Sequence, residues 1–356
     1  MSSRSLCRRV MDAGQRFVGG AHVTKLRQGV GVRAVARHSR AAASGVVLAV
    51  VLAVAGCASD NGGQGATTTA GAGPVPARAA QSFTVGGSPW GVAVDGEVVW
   101  VSDTSRGTLL EIDAASGALL GELPTGAPDP RDTGLAVDAG QVWVANLGGT
   151  VGVIATATRR PGARAETGEG GPAAVALDDR WAWVPTHGPG GGLARLDRGD
   201  PERDPLSVTL PESGFAAAVA GDVVWVAGLE RRVFAIDAAS GAVERTIDVG
   251  GSPRGVAVLD GEVWVTLRDE RAVLRLDATG GEVARIKTGG RPWPIAADGD
   301  ALWVATLEGA LLRIDPARNA VSGRATVAPE PRGIAVAGDA VWVASQTATL
   351  TRVPTR

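Results

Sequence analysis

The dipeptide Trp-Val occurs seven times, at Trp100, Trp143, Trp183, Trp225, Trp264, Trp303 and Trp342, spaced by 43, 40, 42, 39, 39 and 39 residues. A period of this length is the mark of a propeller, a solenoid or another repeat array. Nine residues before every one of these tryptophans a short apolar segment begins, such as Gly91-Val92-Ala93-Val94, Gly255-Val256-Ala257-Val258 or Gly333-Ile334-Ala335-Val336. The aromatic composition agrees with the copying of one Trp-bearing unit, because the 356 residues include 10 Trp but only 4 Phe and no Tyr.

Each unit reads as four short strands separated by turn signals. A tight turn such as Asp95-Gly96 or Asp260-Gly261 follows the first strand, and the second carries Trp-Val. The third ends in an aliphatic-Asp pair, as at Ile112-Asp113, Ile236-Asp237 and Leu276-Asp277. That Asp opens a turn in which its carboxylate accepts backbone N–H bonds and a following Gly supplies positive φ. Four-stranded sheets set radially make a β-propeller. Small residues suit inner strands crowded at the axis, and Trp fills the wedge where blades diverge. The fold class expected is therefore all-β, a seven-bladed β-propeller over residues 81–356. The seventh unit ends after its third strand, Leu350-Thr351-Arg352-Val353, whereas Ser82-Phe83-Thr84-Val85-Gly86-Gly87 matches the fourth strands of other units. The N-terminal strand is thus expected to complete the last blade and cover its edge. In the second unit Ile154-Ala155 replaces the Asp pair, and the third carries a Gly/Pro-rich insertion over residues 185–205, so fraying is expected in both blades.

These motifs resemble the YVTN-type (YncE-like) β-propeller repeats of bacterial surface and periplasmic proteins, whose core Val142-Trp143-Val144-Ala145-Asn146 repeats. The resemblance covers residues 81–356 and implies the fold far more than the function. Propeller lyases of the virginiamycin-inactivating type are also similar in repeat. That resemblance implies paired catalytic histidines, and residues 57–356 hold a single one, His187.

Ahead of the repeats the chain reads as an address. Residues 41–55 are uncharged and almost wholly apolar, too short for a comfortable span and right for a signal-peptide core, with Arg40 before them. The run closes Leu52-Ala53-Val54-Ala55-Gly56-Cys57, which resembles the bacterial lipobox, in which the cysteine is acylated and becomes the new N-terminus. Residues 1–56 are expected to be a lipoprotein signal peptide, and Cys57 the lipidation site tying the protein to the outer face of the cytoplasmic membrane, in the cell envelope. The 40 residues before the core are long for an n-region, which points to a translation start downstream of Met1. Arg8-Arg9 stand too far from the core to act as an export signal. Residues 57–80, small, polar and rich in Gly, Pro and Thr, read as a flexible tether.

The first 56 residues hold nine basic residues and one acid, which leaves 26 basic and 36 acidic residues, a net of −10, for residues 57–356. So acidic a body is repelled by phosphate backbones, and no nucleic-acid partner is expected. With no cysteine after Cys57 and one histidine, no metal site, Cys-His pair or cofactor is expected, and no catalytic residue is assigned. Gly190-Gly191-Gly192 lacks the strand-loop-helix setting of a phosphate loop.

One ring of positions varies where the rest of the repeat is uniform. Directly before the inner strands stand Trp90, Thr133, Ala173, Phe215, Arg254, Trp293 and Arg332, gathered by the propeller at the channel mouth. Trp90, Phe215, Arg254, Trp293 and Arg332 are the binding candidates, since their rings and charges suit an anionic or aromatic-bearing ligand, a peptide, a glycan or a protein. The competing reading makes the tryptophans mere plugs, although unpaired buried arginines fit that poorly. Asp103, Asn146, His187, Arg231, Arg268, Asp269 and Glu308 are expected in loops on the same face. The function expected is a membrane-anchored binding or scaffolding module. The alternatives are a hydrolase or lyase acting at the mouth, which turnover dependent on an added divalent metal and abolished by changing Asp103 or Asp269 would favour, and an extracytoplasmic sensor subunit.

Overall fold

The structure, a computed structural model, describes residues 80–126, 131–168 and 170–355. The signal peptide, Cys57 and all but the last residue of the tether lie outside the described residues. Seven antiparallel sheets follow one another along the chain, and adjacent inner strands pack side by side around one axis. Blade five is representative, with strands Pro253–Leu259, Glu262–Leu267, Ala272–Leu276 and Glu282–Lys287 from axis to rim. Its first hairpin turns on Asp260 and Gly261, both at positive φ (52° and 78°), the two-residue geometry that matches strand twist. Its Asp277 turn forms as expected, with the carboxylate accepting the amides of Thr279 (2.8 Å) and Gly281 (2.9 Å).

The core consists of seven apolar clusters, each shared by two neighbouring blades. Each repeat tryptophan enters the cluster shared with the following blade, and Trp342 of blade seven enters the one shared with blade one. The ring is thereby closed by packing. Crowding at the axis selects glycine. A Cβ on Gly333 of blade seven would overlap the backbone of Trp90 and Val92 in blade one.

The edge is closed as the sequence predicts. Gln81–Thr84 pairs antiparallel with Thr349–Pro354, from Gln81 opposite Arg352 to Thr84 opposite Thr349. Phe83 stacks on Trp342 (6.0 Å between centroids) and fills the hollow over Gly117, whose φ of 72° and lack of a side chain both make room for it. Ile247 over Gly280 and Leu206 over Gly241 repeat this contact between other blades, so the clasp is a true fourth strand. Inner strands run away from the channel mouth and fourth strands run toward it. Gln81 and Thr355 therefore both lie at the face opposite the mouth.

Two expectations need correction. Blade two is not frayed: all four of its strands form, through Arg160–Glu166. Blade three alone is irregular, its inner strand broken into Gly171–Pro172 and Ala176–Leu177. At the break the Ala173 carbonyl accepts the amide of Gly134, so a bond between blades replaces a rung within the blade. The inner strands also start earlier than expected. They begin at Pro89, Asp132, Gly214, Pro253, Pro292 and Pro331, so the ring residues lie inside the strands.

Candidate functional site

In six blades the register slips at the start of the inner strand, between Pro253 and Gly255 in blade five and at the matching places in blades one, two, four, six and seven. A bulge re-aims the side chain it carries, and the carried residues are Trp90, Thr133, Phe215, Arg254, Trp293 and Arg332. Hydroxyls of the second strands hold two of these bulges. Thr266 Oγ1 accepts the Gly255 amide (2.8 Å) and donates to the Trp293 carbonyl (2.8 Å), while Ser102 links Gly91 to Thr133 in the same way.

The five candidates form a continuous arc in which rings and cations alternate. The guanidinium carbon of Arg254 lies 5.4 Å from the ring centroid of Phe215 and 5.3 Å from that of Trp293. That of Arg332 lies 4.4 Å from Trp293 and 5.4 Å from Trp90. Phe215 meets Trp293 edge to face at 5.6 Å. All five line a central cavity of about 210 Å³ to which every blade contributes. The other two ring positions take no part in the arc. Thr133 is buried and bonded to the Ala145 and Pro172 carbonyls, and Ala173 lines the wall.

What sets Arg254 and Arg332 apart is that they line the central cavity. Arg195 of blade three is held in a similar way to Arg254, with Nη1 on the Ala238 and Ala239 carbonyls and a buried Nε without an acceptor. Arg254 is 9% exposed, and no carboxylate among the described residues pairs with it. Its Nη1 donates to the carbonyls of Leu229 (3.0 Å) and Pro253 (2.7 Å), while its Nε is buried without an acceptor. Burial, reinforced by the charge of Arg268, pushes its pKa down to about 10. Arg332 donates from Nε to Gln346 Oε1 (2.7 Å) and from Nη2 to Glu330 (3.2 Å), yet its buried Nη1 has no acceptor. Its pKa is also lowered, first by burial, then by Arg268 and Arg291. A buried donor without a partner costs about 1–3 kcal/mol, and more when charged.

The loop candidates do not assemble into a reactive group. Asp103 is fully buried and accepts bonds from Ser88 N, Ser105 N and Oγ, and Arg106 Nε (2.6–3.0 Å). Burial raises its pKa, but these bonds outweigh that effect and hold it below the ordinary carboxylate value. Its oxygens are committed to the loop. Asn146 caps its own turn through Gly148 N. Asp269 is paired with Arg268, Glu308 with Arg291 and Arg231 with Asp248. His187 is half-buried, and burial with the charge of Arg131 lowers its pKa. Among the described residues no three His, Cys, Asp or Glu side chains group in a way that could hold a metal ion.

Sequence reasoning missed Gln346, although it stands four residues after Trp342, as His187 and Arg268 do after their own tryptophans. It also missed the carbonyls that fix Arg254, which no residue type signals.

A seven-bladed β-propeller with a basic, aromatic channel mouth is the class that fold and site define. No family model matches the chain, and no curated protein matches it. Solved structures do. Virginiamycin B lyase from Staphylococcus aureus is 18% identical with a TM-score of 0.68, over 78% of this chain and 99% of that one. Kuenenia stuttgartiensis hydrazine synthase is 17% identical with a TM-score of 0.66, over 75% and 96%. A catalytically inactive variant of the same lyase with quinupristin is 17% identical, with a TM-score of 0.66 over 78% and 99%. At such identities the likeness is one of fold.

Proposed function

We propose that this chain is an exported YVTN-like lipoprotein whose propeller binds an anionic ligand or the anionic part of a protein, peptide or glycan at its channel mouth. One observation carries the reading. Two arginines are held in place by neighbours, packed among three aromatic rings and left with buried N–H groups that have no acceptor. Arg254 has no carboxylate partner among the described residues, and a structural plug would be more stable without it, because unpaired buried charge is costly. Anchoring through Cys57 at the outer face of the cytoplasmic membrane is supported by the lipobox-like Leu52–Cys57 alone.

The test is a crosslinked pull-down of the acylated protein from membranes, beside a Trp90, Arg254, Trp293, Arg332 quadruple-alanine variant first shown to fold by its melting temperature. Loss of the captured partner from the folded variant is the expected result; identical capture by both sinks the mouth as the site. Membrane release and loss of lipid labelling in Cys57→Ser is the expected result for the anchor, and a variant still acylated overturns it.

A lyase reading draws on the likeness to virginiamycin B lyase. What separates the two readings is turnover, because a binding module leaves the captured ligand chemically unchanged.

A further inference from the structure

Taking the mouth as a binding site, as proposed above, the donors left without acceptors define the chemistry of what it holds. Arg254 Nη1 is committed to two backbone carbonyls and its Nε is enclosed, which leaves Nη2 without an acceptor among the described residues. A guanidinium N–H makes a strong, charge-assisted bond to a carboxylate oxygen. Arg332 is fixed through Nε and Nη2 and keeps one buried unpartnered donor, Nη1. Both guanidiniums flank the same indole, Trp293, and both line the same cavity.

Two features narrow the anion further. The opposite wall, at Gly134, Ala173 and Ala174, is small and carries no polar side chain, so it receives an apolar remainder. Residues 57–356 carry a net of −10, which repels a second negative charge on the ligand. The cavity, about 210 Å³, also falls below the roughly 300–1,000 Å³ of drug-sized pockets. It fits a small acid or the last residue of a longer chain.

We propose that the mouth takes a singly charged carboxylate, held between the guanidiniums of Arg254 and Arg332, with its apolar or aromatic remainder on the Gly134–Ala174 side. A free arylalkanoate and the C-terminal carboxylate of a peptide share this chemistry.

Isothermal titration of the full chain in detergent tests it. The probes are 3-phenylpropionate, its primary amide, phenyl phosphate, and a pentapeptide ending in Phe with a free or an amidated C-terminus. The acid is expected to bind at least tenfold more tightly than the amide and more tightly than phenyl phosphate. Arg254→Met is expected to lose that affinity at least tenfold with no fall in melting temperature. Should that variant fail to fold, Arg332→Gln carries the same test. Tighter binding of the free-acid peptide than of 3-phenylpropionate assigns the site to chain termini, and the reverse order assigns it to small acids.

Equal affinity for acid and amide, or stronger binding of phenyl phosphate, overturns the carboxylate while leaving an occupied mouth. So does silence from every probe while the quadruple-alanine variant still loses its membrane partner. Silence from every probe together with unchanged capture by that variant removes the binding reading itself.

Discussion

The chain uses tryptophan in two ways, and the contrast separates what builds the ring from what the ring presents. The seven repeat tryptophans lie on second strands, are at most 2% exposed, and enter clusters between blades. Trp90 and Trp293 lie one strand further in, on bulges, half-exposed and against arginines. The first set occupies equivalent places and performs one task seven times. The second shares its ring of positions with Thr133, Ala173 and Phe215. Residues that fill a wedge must be alike because the wedges are alike, whereas residues facing a common channel have no such constraint.

The largest effect expected from this contrast is on stability. Trp264→Ala should cost about 3–5 kcal/mol, the usual price of emptying a large aromatic site. Trp293→Ala should cost clearly less, because its ring is partly open to the channel and enters no cluster between blades. Urea unfolding of both variants checks the difference, and comparable losses would merge the two sets into one structural class. Next, removing residues 81–87 should lower the melting temperature of the entire ring, because Phe83 packs on Trp342 and over Gly117. A single calorimetric transition shifted downward is the expected trace, and an unshifted one denies the clasp its role.

A smaller effect concerns the turns. Asp237→Ala should lower the melting temperature slightly, because the bonds that its carboxylate accepts from Ser240 N and Oγ are lost. Its bonds from Ser240 hold the Asp237 carboxyl below the ordinary value, so its stabilisation is full above the unfolded pKa and is lost as pH falls through the folded one. The acid limb of the unfolding curve should accordingly be shallower in Asp237→Ala than in the native chain.

The smallest effect concerns Arg254, whose pKa is pushed down to about 10 by burial. Because the folded state binds this proton less well than the unfolded state, its cost is full below that pKa and relieved as pH rises through it. Any stability advantage of Arg254→Met should therefore shrink between pH 9 and 11. An advantage constant over that window would mean that charge is not the source of the cost.

The blades and their closure were legible because a repeat states the same rule seven times, and Ser82–Val85 could be recognised as a displaced fourth strand by likeness to Ile247–Val249. The ring of candidates was legible for the opposite reason, as variation inside a regular frame. What escaped depends on backbone geometry. Nothing in Pro253-Arg254-Gly255 announces a bulge, and the carbonyls of Leu229 and Pro253 that immobilise Arg254 belong to no residue type. Asp103 could be placed in a loop at the mouth from its position in the repeat, whereas the amides that engage its carboxylate become visible only in the folded loop. Blade two stayed whole without its Asp pair because strand pairing, through Thr150–Ala155 and Arg160–Glu166, does not depend on that turn.

The direction of the clasp strand has a topographic consequence. Gln81 begins its strand at the face away from the channel mouth, and Thr355 lies at that same face. A bulky label or a solid support attached at either residue should therefore leave Arg254 and Arg332, at the opposite face, open to molecules arriving from solution.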